Sequence, residues 1–237
     1  MRQTIALTAL AVAAFFSSAG RAEVFGWGGE VELGWVETSG NTEVSTIKFK
    51  TNAKHESEQW INSVVVEALN TSNASRTTAE RYLLEGKAKY RLPQKHYGYG
   101  NGKYEDDRFS GYDYRLSATI GYGARIRETP RYWVDLEAGV GERRNKLAGN
   151  GRDDEFIARL FADFAWTANE YTTIGETLTV EAGSDTTLTK SETFLKSRIA
   201  RRLALKAGFL VRHASNVPQD TAQTDRELTL TVVYDFK

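Results

Sequence analysis

The chain has 237 residues, with 31 basic and 31 acidic side chains and no cysteine. Balanced charge gives no basis for a nucleic-acid partner, and the lack of cysteine excludes disulfides and thiolate chemistry. The three histidines, His55, His96 and His213, are far apart and lack zinc-site spacing, so no metal or other cofactor is expected.

The first residues stand apart. MRQ carries one arginine, TIALTALAVAAFF is apolar but short for a bilayer, and SSAGRA ends in small residues. This pattern predicts a cleaved secretory signal over 1–22, with Gly20 and Ala22 at the −3 and −1 positions before a cut after Ala22; the plainer alternative is a buried N-terminal helix. Residues 23–237 show no linker or composition shift and read as one domain. They contain no apolar run of 18 residues, so no transmembrane helix is expected.

The rest of the chain alternates. In 113–127, Tyr114, Leu116, Ala118, Ile120, Tyr122, Ala124 and Ile126 oppose Arg115, Ser117, Thr119, Gly121, Gly123, Arg125 and Arg127. Side chains alternate across a strand, so one face is apolar and the other wet. In 131–143, Tyr132, Val134 and Leu136 oppose Asp135 and Glu137. In 154–167, Leu160, Phe164 and Trp166 oppose Arg159 and Asp163. The last strand sets Leu228, Leu230, Val232, Tyr234 and Phe236 against Glu227, Thr229 and Asp235. Twelve strands are predicted, at 28–37, 43–55, 60–71, 78–91, 96–109, 113–127, 131–143, 154–167, 171–183, 189–200, 203–214 and 223–236. Three are weaker: strand 9 places Glu176 beside Ile174, Leu178 and Val180, strand 10 has only Leu195 and Ile199 among serines and threonines, and strand 3 (WINSVVVEALNT) is apolar on both sides except Glu67.

Short turns (ESEQ, LPQK, ETP, ANE, ARR) alternate with several longer loops (SNASRT, NKLAGNGRDD, SNVPQDTAQ). That asymmetry, strands longer than those of soluble domains, and aromatic strand ends fit a barrel in lipid. The aromatics assigned to the interfacial girdle are Trp27, Trp35, Trp60, Tyr90, Tyr97, Tyr132, Trp166, Tyr234 and Phe236. Lipid offers no hydrogen-bonding partner, so a spanning sheet must close. The expected fold is all-β, a transmembrane antiparallel up-and-down β-barrel of about 12 strands. A soluble sandwich explains the period but not the strand lengths. Lipid-facing positions are then Leu116, Ile120, Tyr122, Val134, Leu136, Leu160, Phe164, Leu230 and Val232. A charge at Ile120 should hinder assembly and one at Thr119 should be tolerated.

The closing VVYDFK, with Tyr234 and Phe236 on alternate positions, resembles the assembly signal of bacterial outer-membrane barrels, although Phe236 is penultimate. TSGNTE (38–43), YEDDRFSGYDYR (104–115), EAGSD (181–185) and SNVPQDTAQTD (215–225) resemble a family of Gram-negative proteins of undefined function labelled salt-induced outer membrane proteins. The resemblance covers the mature chain and implies a bacterial outer-membrane barrel. Its partners would be membrane lipids, lipopolysaccharide and, during biogenesis, the barrel-assembly machinery. It supplies no substrate or catalytic residue.

Predicted lumen positions include Lys48, Lys50, Arg81, Glu85, Lys87, Arg115, Arg125, Asp135, Glu137, Arg159, Asp163 and Arg212. They read either as a narrow pore with a transverse field or as a salt-bridged plug. Gly98, Gly100, Gly102, Gly121, Gly123, Gly139 and Gly141 are assigned inward, relieving crowding beneath large side chains. Rim carboxylates (Glu105, Asp106, Asp107, Asp113; Asp153, Asp154, Glu155) read as a solvated edge or a divalent-cation site. The catalytic candidate is His213 as base, Ser215 as nucleophile and Glu227 as orienter, similar to outer-membrane lipid A deacylases; the inward parity of Glu227 weighs against it. The expected function is therefore a non-enzymatic barrel, either a narrow ion or solute channel or an envelope-integrity protein, with lipid A hydrolysis as the alternative.

Overall fold

The computed structural model describes residues 26–38, 44–73, 76–108, 110, 112–147, 151–217 and 222–236. The predicted signal, most of TSGNTE and part of SNVPQDTAQTD lie outside them. Among the described residues, twelve strands form: β1 (Trp27–Thr38), β2 (Val44–Glu56), β3 (Trp60–Asn73), β4 (Arg76–Arg91), β5 (His96–Asp107) and β6 (Tyr112–Glu128), then β7 (Tyr132–Leu147), β8 (Arg152–Thr167), β9 (Thr172–Gly183), β10 (Thr187–Arg198), β11 (Leu203–Ala214) and β12 (Thr224–Phe236). Each pairs antiparallel with its sequence neighbours. β1 also pairs with β12, from Gly29 opposite Phe236 to Leu33 opposite Val232, and so closes the barrel. The Phe236 ring lies over Gly29, where a Cβ would come within 2.6 Å of it.

Small side chains set the short turns. Asn169 Oδ1 accepts the backbone N–H groups of Tyr171 and Thr172, at 2.9 and 3.0 Å. Thr129 Oγ1 accepts those of Arg131 and Tyr132, at 3.3 and 3.0 Å. Such local acceptors replace the ladder at a chain reversal. These turns define one end of the barrel, where β1 starts and β12 finishes. The other end carries the longer loops.

Burial is inverted relative to a soluble domain. Ile120 and Leu230 are 69% and 67% exposed, whereas Arg143 and Arg81 are 1% and 3% exposed. Leu116, Tyr122, Leu136, Leu160 and Val232 are exposed on the outer wall, which Val134 and Phe164 share by their place in the alternation. An apolar outer wall around a charged interior, with no free sheet edge, satisfies a bilayer's demands.

Two facing assignments change. On β5, Tyr97 and Tyr99 are buried inside, so Gly98, Gly100 and Gly102 face outward and Tyr97 leaves the girdle. A Cβ on Gly100 or Gly102 would meet nothing within 4 Å. The reason lies on the neighbouring strands. Tyr97 lies over Gly123, and Tyr99 over Gly121 and Gly139, so large inward side chains on β5 fill space left by inward glycines on β6 and β7. The second change follows a bulge between Arg125 and Arg127 in β6. Arg127 pairs with Val134 and shifts to the outer parity, while Glu128 turns inward.

Candidate functional site

The interior holds a cavity of about 1100 Å³. Its walls include Arg91, Lys95 and Glu128 at the turn end and Ser110, His213 and Gln223 at the loop end. One space therefore touches both mouths. Cationic and anionic side chains from facing strands narrow it.

Between β12 and β4, Arg81 Nη2 binds Glu67 Oε1 at 2.6 Å and Glu227 Oε2 at 3.0 Å. Lys48 Nζ reaches the other Glu227 oxygen at 2.6 Å. Lys50 pairs with Glu192 of β10 at 3.1 Å, and Lys206 of β11 binds Glu192 at 3.3 Å and Glu32 at 2.9 Å. Lys50–Glu192 reaches across three intervening strands. These contacts form two clusters of opposite charges, adjacent where Lys50 lies opposite Glu67 in the β2–β3 ladder, the arrangement that makes buried ions tolerable.

On the opposite wall, Glu137 collects Lys87 at 2.6 Å, Arg159 at 2.9 Å, Lys89 at 3.0 Å and the Tyr97 hydroxyl at 3.1 Å. The Phe161 ring packs beside two of these cations, 4.4 Å from Lys87 Nζ and 5.0 Å from the Arg159 guanidinium. Arg125 grips Asp135 with two nitrogens, at 2.7 and 3.0 Å. Asp163 stands directly opposite Asp135 in the ladder and lines the cavity. Glu85 accepts the Asn101 amide at 2.7 Å, and Arg115 stacks 4.1 Å from the Tyr112 ring.

Toward the loop end, Arg212 of β11 binds Glu105 at 3.3 Å and Asp107 at 3.2 Å, both on β5. β11 and β5 are six strands apart either way around the ring, so this contact spans the lumen. Lys103 meets Glu181 at 3.0 Å. Arg143 binds Glu155 at 2.6 Å and the Thr186 carbonyl at 2.6 Å, while Glu155 accepts the Asp185 N–H at 3.1 Å. The EAGSD turn is thus pinned to the inner wall. Arginines likewise engage the rim carboxylates: Asp154 pairs with Arg144 and Arg152, and Asp107 and Glu105 with Arg212.

The catalytic candidates make other contacts. His213 Nδ1 is 2.9 Å from Thr224 Oγ1, Ser215 Oγ accepts the Thr187 N–H at 2.9 Å, and Glu227 is held by Lys48 and Arg81. Sequence reading did not single out Glu32, Lys103, Arg143, Glu181 and Glu192 as lumen residues. Glu32, Arg143, Glu181 and Glu192 sit on the polar parity of their strands, so the same alternation would have found them; Lys103 shares the parity of Tyr97 and Tyr99 on β5, which alternation assigned outward.

Residues 31–236 match the family described as "Protein of unknown function, DUF481". The chain belongs to this family. A family-sized relative, the uncharacterized protein YdiY of Escherichia coli (strain K12), is 28% identical over 209 residues, spanning 88% of this chain and 82% of that protein. Two solved structures share the fold. The NanC porin gives a TM-score of 0.55 at 10% identity, over 88% of this chain and 99% of that one. An outer membrane channel from Pseudomonas putida F1 gives 0.53 at 12% identity, over 91% and 97%. The fold of this family member is thus that of bacterial outer-membrane β-barrels, as its inverted burial demands.

Proposed function

We propose that this family member is a narrow, water-filled channel for small ions and solutes, held to a fixed bore by its internal ion pairs. The observation that carries the reading is that one cavity among the described residues touches both mouths, from Lys95 and Glu128 to Ser110 and Gln223. A plug of the same charges would leave separate pockets at the two ends. The pairs that cross the lumen, Lys50–Glu192, Lys103–Glu181 and Arg212–Glu105, restrict the passage to small species. Because both signs line the wall, selectivity between cations and anions should be weak. Small-ion passage also accords with the salt response in the label of the resembling family. The porin and channel names of the two similar structures support the same reading.

Single-channel recording tests it: refolded protein in a planar bilayer should give small, uniform conductance steps. Hydrolysis of lipid A has less support, because Glu227, the residue needed to orient His213, is bound to two cations on the inner wall. Ser215→Ala should leave lipid A acylation unchanged by mass spectrometry; loss of an acyl chain in the wild type alone would favour the hydrolase.

A further inference from the structure

The barrel is closed by a short ladder. β1 and β12 pair from Gly29–Phe236 to Leu33–Val232 and no further, whereas β1 pairs with β2 up to Thr38–Val44 and β12 with β11 up to Thr224–His213. Toward the loop end, Gly34–Thr38 and Thr224–Thr231 therefore have no ladder partner across the seam among the described residues. Neither edge lies free, because each faces the other: a Cβ on Gly34 would come within 3.1 Å of the Leu230 carbonyl oxygen. Lipid supplies no donor or acceptor to such edges, so this half of the seam depends on side chains to stay shut.

The two halves are held differently. Near the turn end, Lys196 binds Glu30 of β1 at 2.8 Å and Asp235 of β12 at 2.6 Å, which fastens both strands beside their ladder. Toward the loop end the tie is Glu227 of β12. It reaches past β1 to Lys48 at 2.6 Å and Arg81 at 3.0 Å. Gly34, opposite Lys48 in the β1–β2 ladder, has no side chain to stand in the way.

We propose that the loop-end half of this seam is a lateral gate, hinged at the paired half and latched by Glu227, through which an amphiphile with an anionic head and an apolar tail passes between the lumen and the surrounding lipid. Parting the strands draws Glu227 away from Lys48 and Arg81. Arg81 is 3% exposed, and its Nη1 has no hydrogen-bond partner among the described residues even with Glu227 in place. A carboxylate or phosphate head takes the position that Glu227 leaves and meets this spare N–H as well. Outside the gap, Trp35, Leu228 and Leu230 are exposed and apolar, which suits the tail. A cationic head would meet Lys48 and Arg81 with like charge, and a wholly polar solute has the two mouths of the cavity instead.

The cysteine-free chain allows labels at chosen pairs. Were the ladder continued, Trp35 would face Leu230; within it, Val31 faces Tyr234. Spin labels on Trp35→Cys/Leu230→Cys, in reconstituted barrels whose folding is shown by heat-modifiable migration, should give weak dipolar broadening that Glu227→Gln weakens further. Labels on Val31→Cys/Tyr234→Cys should give strong broadening that Glu227→Gln leaves unchanged. A long-chain carboxylate bearing a diazirine should label Leu228 several-fold above Ile120 on β6 and several-fold above the corresponding alcohol. Neither readout uses ion current, so the gate is tested apart from conduction through the bore. Equal broadening at the two pairs, a seam indifferent to Glu227→Gln, or labelling that is uniform around the wall or the same for the alcohol would overturn the proposal.

Discussion

Arg81 is 3% exposed and bridges two carboxylates, Glu67 and Glu227, that come from strands on either side of the barrel's closing seam. Removing it strands Glu67, itself 3% exposed, without its closest cation. Arg81→Met should therefore cost about 3–5 kcal/mol in urea refolding into vesicles, and adding Glu67→Gln should recover part of that loss. An unchanged midpoint for Arg81→Met would mean that water, not the arginine, solvates Glu67. Glycines make a second contrast at this scale. A Cβ on Gly121 would come within 2.8 Å of the Tyr99 ring and 2.3 Å of the Ala138 carbonyl, whereas one on Gly100 would meet open space. Gly121→Val should destabilise by about 1–3 kcal/mol and Gly100→Val should be near neutral, read from the same refolding curves.

At the scale of the strand, Ile120 and Thr179 offer the cleaner test of facing. Ile120→Asp should sharply reduce folded barrel in outer membranes, because the side chain is 69% exposed on the apolar wall. Thr179→Asp, at the cavity, should assemble normally. Thr119, the comparison suggested by alternation alone, is unsuitable: it is 3% exposed and its hydroxyl has no hydrogen-bond partner among the described residues, so a charge there would be buried. This difference shows what alternation can carry. It located all twelve strands, because a bilayer outside and water inside impose a period of two over long stretches. It failed on β5, where HYGYGNG alternates tyrosine with glycine and neither set is plainly polar. Only the ladder resolves it, since Tyr97 pairs with Gly123 and Tyr99 with Gly121. The weak apolar faces of strands 9 and 10 were visible in the sequence as well. The bonds that hold Glu176 were not, because they depend on Glu176 pairing with Thr193 across the β9–β10 ladder.

For the whole molecule, the question is how much of the bore the crossing pairs occupy. Their identity was not legible in the sequence: Arg212 and Glu105 are more than a hundred residues apart and meet only because a ring of twelve strands sets β11 opposite β5. Arg212→Ala removes the contact that spans the lumen toward the loop end, and should enlarge the unit conductance without changing the folded fraction. No increase would place the narrowest point elsewhere, at Lys50–Glu192 or at the Glu137 cluster. The account rests on the continuous cavity, and recording from wild-type protein in a planar lipid bilayer tests it most directly. It predicts small, reproducible conductance steps with weak cation–anion selectivity. Persistent silence from barrels shown to be folded would contradict it and identify the interior as a closed, salt-bridged plug.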